Sequence, residues 1–91
     1  MMIWAVSVVG ANANANAGTP CWKLTDVQIQ QIARTSESNF HVAMNICRDQ
    51  MSALADRGAS EPNDELSKAY FVQSSLTAKA MRSLKIARQA N

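Results

Sequence analysis

The sequence predicts an all-α fold: a small helical hairpin or three-helix bundle that follows a non-helical N-terminal segment. Three observations carry this expectation. Two long stretches repeat their apolar residues at helical spacing, and both are bounded by the residue types that start and stop helices. Three Gly and two Pro leave too few tight turns for an all-β chain. Helices are expected over about 25–55, with a candidate break near 35–39, and over about 63–89. With 91 residues, the chain is near the lower size at which one core holds without staples or partners. Its aromatic residues are Trp4, Trp22, Phe40, Tyr70 and Phe71, so the core must be built mainly from Ala, Leu, Ile and Met.

Residues 1–17 read as a secretory signal, and residues 18–91 as one small helical domain. Met1 to Val9 is apolar apart from Ser7, and Gly10 leads into alternating Ala and Asn from Ala11 to Ala17. An apolar run followed by small-x-small triplets is the core and cleavage pattern of an export signal, with cleavage after Ala13, Ala15 or Ala17. The pattern lacks a basic N-terminal end, because no Lys or Arg precedes Lys23. The alternative is a disordered N-terminal arm. The run falls short of the ~20 apolar residues that span a bilayer, so membrane contact is expected only through an uncleaved N-terminus.

The first helix starts at Thr25-Asp-Val-Gln28, a capping-box spacing. From there Ile29, Ile32, Ala33, Phe40, Ala43, Met44, Cys47, Met51 and Leu54 fall in one arc of about 120°, with Ser36 the polar exception in its middle. Gly58 suits the position just past a helix end, and Pro62 the start of the next. Ser60 or Asn63 is placed to cap the second helix, with Glu61, Asp64 and Glu65 at its positive end. Its expected core stripe is Leu66, Ala69, Tyr70, Leu76, Thr77, Ala80, Met81, Leu84 and Ala87. Lys79, Arg82, Lys85 and Arg88 are spaced by three and read as a solvated basic face.

The two cysteines decide between the architectures. In one straight helix Cys47 lies about 33 Å along the axis from Thr25. The chain from Cys21 to Thr25 reaches at most about 14 Å. A disulfide needs Cα atoms within about 7 Å, so a continuous helix forbids a Cys21–Cys47 bond. A turn at Thr35-Ser-Glu-Ser-Asn39, residues that favour caps and turns, brings the cysteines opposite one another. The uninterrupted apolar phase across that cluster argues for the continuous helix. Export favours the stapled three-helix form, since paired cysteines belong to oxidising compartments.

No catalytic, cofactor-binding or metal-ligating residues are assigned. His41 is the only histidine and falls on the polar face, one turn after Glu37. No CxxC, HExxH, GxSxG, Walker or dinucleotide pattern is present. A net charge of +2 is below that of a dedicated nucleic-acid binder, and no aromatic residues interleave with the basic run. The candidate partner surface consists of Val42, Ile46, Phe71, Val72 and Ile86, large apolar residues that fall off the core stripes.

These readings predict a small exported helical protein, periplasmic or secreted, that acts by protein–protein interaction or self-association. It would serve as an adaptor, an inhibitor or an accessory subunit of an envelope complex; the alternative location is cytoplasmic. A second class is a structural subunit of a filament. Glu61-Pro-Asn-Asp-Glu-Leu66, followed by Leu76-Thr-Ala-Lys79, forms a hairpin turn leading into a basic C-terminal helix. In outline this is similar to the needle and inner-rod subunits of type III secretion, and the resemblance implies self-assembly.

Overall fold

The computed structural model describes residues 19–90. The signal or arm expected over 1–17 lies outside the described residues. Within them the chain forms a 3₁₀ turn at Cys21–Lys23, helix α1 at Asp26–Ala33, helix α2 at Glu37–Ser60 and helix α3 at Asp64–Ala90. This is the three-helix form.

Helix α1 begins with the expected capping box. Thr25 Oγ1 accepts from the Gln28 N–H at 3.2 Å, and Gln28 Oε1 accepts from the Thr25 N–H at 2.9 Å. The chain then breaks at Arg34–Ser36. The Thr35 hydroxyl donates to the Ile32 carbonyl at 2.7 Å, closing the end of α1. Ser36, in extended backbone at φ −60° and ψ 160°, accepts from the Asn39 N–H and caps α2. The polar exception of the first stripe is thus the residue that restarts the helix.

Helix α2 runs to Ser60, beyond the expected end near 55. Gly58 is therefore not a terminal glycine; it is buried inside the helix. A Cβ there would lie 3.0 Å from Cζ of Phe71, so its bareness admits the Phe71 ring. Asn63, not Ser60, caps α3: its Oδ1 accepts from the Leu66 N–H at 3.0 Å. The Ser60 hydroxyl donates back to the Asp56 carbonyl at 3.0 Å.

Helices α2 and α3 form an antiparallel pair. The Ser67 hydroxyl donates to the Gly58 carbonyl at 2.7 Å, and the Ser74 hydroxyl to the Met51 carbonyl at 3.0 Å. Small side chains let the backbones approach closely enough for both bonds. The longest molecular dimension, 41 Å, is the length of α3 at about 1.5 Å per residue.

The core lies at the end of this pair farthest from the α2–α3 turn. There α1 folds back and buries Ile29, Ile32 and Ala33 against Phe40, Ala43, Met44, Leu84 and Ala87. Toward the turn, two expected core residues of α3 are instead exposed, Leu66 at 51% and Leu76 at 39%. Ala69 is exposed as well. The reason is length: α1 has 8 residues and covers only one end of a 27-residue helix. Thr77, which is fully buried, donates its hydroxyl to the Gln73 carbonyl at 2.8 Å within its own helix. No helix among the described residues is long and apolar enough to cross a membrane.

Candidate functional site

Two fastenings hold the 3₁₀ turn and α1 on the α2–α3 hairpin. The first is the Cys21–Cys47 disulfide, with Cα atoms 5.6 Å apart and a sequence separation of 26. Both residues are buried, and the Cys21 N–H donates to Gln50 Oε1 at 2.9 Å. Closing a loop of that size stabilises the fold by about 3.5 kcal/mol in the chain-entropy description. The second is Arg88. Its guanidinium donates to the Ala33 carbonyl at 2.8 Å and to the Thr35 carbonyl, and lies 5.1 Å from the centre of the Phe40 ring. It satisfies carbonyls that the end of α1 leaves without helical partners. Arg88 is therefore not part of the solvated basic face on which the spacing placed it. Lys79, Arg82 and Lys85 are exposed.

His41 is solvent-exposed, with Nε2 3.6 Å from Glu37 Oε2 one turn earlier. The pair stands clear of the disulfide, and Cys47 is committed to Cys21. Among the described residues no three His, Cys, Asp or Glu side chains gather as metal ligands.

The five apolar residues of the expected partner surface are distributed over different parts of the molecule. Val42 and Ile46 lie on α2, Val42 exposed and Ile46 half-buried. One turn on from Ile46, Gln50 borders a groove of about 230 Å³ together with Trp22, Ala53, Leu54 and Arg57. Phe71 and Val72 line a second groove of about 420 Å³ on α3, shared with Ser75, Leu76, Lys79 and Arg82. Ile86, 66% exposed, borders a third, where Asp26, Ile29 and Gln30 of α1 meet α3. Phe71 has a double role: one side of its ring covers Gly58, while 44% of the residue stays exposed. Leu66 and Leu76 extend this set beyond the residues the stripe assignment identified.

All three grooves are shallow, and their walls combine apolar side chains with basic or amide groups. Such surfaces suit contact with side chains of another macromolecule better than enclosure of a small molecule, whose sites are concave and bury most of the ligand. The chain matches no known protein family, no curated protein and no solved structure.

Proposed function

We propose that this protein is an exported helical binding protein, held in shape by one disulfide. It acts in the periplasm or outside the cell by pressing its helical faces against a protein partner, as an adaptor, an inhibitor or an accessory subunit of an envelope complex. One observation carries this reading: the bond between Cys21 and Cys47 is buried at the joint that returns α1 to the hairpin. A fold stapled this way belongs to an oxidising compartment. Support for a binding role comes from large apolar residues left in solvent, Val72 at 56% and Ile86 at 66% exposed. No catalytic residue is assigned.

The test is the intact mass of the protein isolated from a secreting host, with and without reductant. Loss of an N-terminal segment ending at Ala13, Ala15 or Ala17, with a gain of about 2 Da on reduction of the monomer, is the expected result. A full-length chain with free thiols would overturn the reading. If such a chain also formed concentration-dependent polymers in sedimentation, the filament-subunit class would replace it.

A further inference from the structure

The outer face of α3 shows which chemistry the partner presents. After Glu65 no acidic residue occurs through Asn91, whereas Lys68, Lys79, Arg82, Lys85 and Arg88 do. Arg88 is engaged with α1, and the other four are exposed. Lys68, Lys79 and Arg82 share an arc of about 140° with Phe71, Val72 and Leu76 at 3.6 residues per turn. This arc opposes the buried residues Thr77 and Leu84. A block of large apolar side chains, bracketed along the axis by unpaired positive charges, thus lies on one continuous helical face, over a groove of about 420 Å³.

We infer that this face docks an acidic amphipathic helix of a protein partner, an inference that rests on the binding function proposed above. The apolar residues of that helix meet Phe71, Val72 and Leu76, and its flanking carboxylates meet Lys68, Lys79 and Arg82. An amphipathic helix that lays apolar anchors on a complementary face is a recurring mode of recognition. An anionic membrane surface is the other receiver of basic and apolar groups, but a helix lying in a bilayer interface separates its charges from its apolar sector. Here Lys79 and Arg82 sit inside the apolar arc.

The oxidised full-length protein is titrated with two designed peptides of about four heptads that share a leucine seam, one flanked by Glu and the other by Lys. Vesicles of phosphatidylglycerol and phosphatidylcholine form a third arm. Saturable binding at least ten-fold tighter to the Glu peptide is expected, weakening with salt. The double variant Lys79→Glu/Arg82→Glu should reverse the preference, and Leu76→Asp should abolish binding to both peptides. All three positions are exposed, and thermal melts of the variants verify the fold. Equal affinity for the two peptides, no binding, or binding to vesicles alone overturns the inference. Photo-crosslinkers at Val72 and Ile46 in the native host separate the two levels of failure. A partner crosslinked from Ile46 but not Val72 removes the α3 face and keeps the binding function, whereas no crosslink from either removes both.

Discussion

Arg88 joins the end of α1, the turn at Thr35 and the ring of Phe40 through one side chain. Two charge-assisted hydrogen bonds to otherwise unpaired carbonyls, with a cation over an aromatic face, outweigh the cost of ordering the side chain. Arg88→Ala is expected to lower unfolding free energy by about 2 kcal/mol. Arg88→Lys should restore only part of that, because its shorter side chain ends before the position from which Arg88 Nη1 donates to both carbonyls and it lacks the planar group that lies over Phe40. Urea denaturation of the three proteins checks both; an unchanged midpoint for Arg88→Ala would refute the clamp. This role was not legible in the sequence. Arg88 follows Lys79, Arg82 and Lys85 at the same spacing, and what separates it from them is a pair of acceptors 53 and 55 positions away. The place of Gly58 inside α2 is hidden from the sequence for a related reason. A glycine near a helix end signals a terminus locally, but here it admits a ring from the next helix. Gly58→Ala should therefore stabilise the Phe71→Ala variant by about 1 kcal/mol through helix propensity. In the parent it should gain less, since the ring must withdraw, and a double-mutant cycle in urea measures the difference.

At the scale of elements, the informative case is the break between α1 and α2. The apolar phase runs through it without a jump, which by itself favours one long helix. Yet both segments bury their apolar faces in the same core, so phase reports which side is covered and not whether the chain runs straight. The cap chemistry reported the break correctly: Thr35 closes one helix and Ser36 opens the next. Ser36→Ala should cost about 1 kcal/mol. The loss should appear in amide exchange as faster opening at the start of α2, because Asn39 loses the acceptor for its N–H. Unaltered protection there would mean that tertiary contacts alone hold the turn. The α3 stripe was legible only where another element covers it. Thr77, Ala80, Leu84 and Ala87 are buried as their spacing requires, while Leu66 and Leu76 keep the period but lie beyond the reach of α1. Periodicity marks a face suited to burial; the length of the neighbouring helix decides how much is buried here.

The whole molecule is accordingly uneven. One end has three helices around Leu84, and the other has two helices around a close serine–glycine contact. A domain of this size holds on the order of 5–10 kcal/mol of stability in total. The Cys21–Cys47 bond, at about 3.5 kcal/mol, is then a large fraction of it. Because the bond ties the 3₁₀ turn before α1 to the middle of α2, its loss should act first on α1 and that turn. Reduction of the full-length protein is expected to lower Tm by about 14–28 °C, taking about 4–8 °C for each kcal/mol in a domain this small. Amide exchange on the reduced protein should show α1 losing protection before the centres of α2 and α3, which keep their paired contacts through Ser67 and Ser74. A Tm within about 5 °C of the oxidised protein would show that core packing alone holds the 3₁₀ turn and α1, and would remove the principal support for an oxidising compartment. Simultaneous loss of protection in all three helices would show a single cooperative unit, with the staple stabilising the hairpin as much as α1.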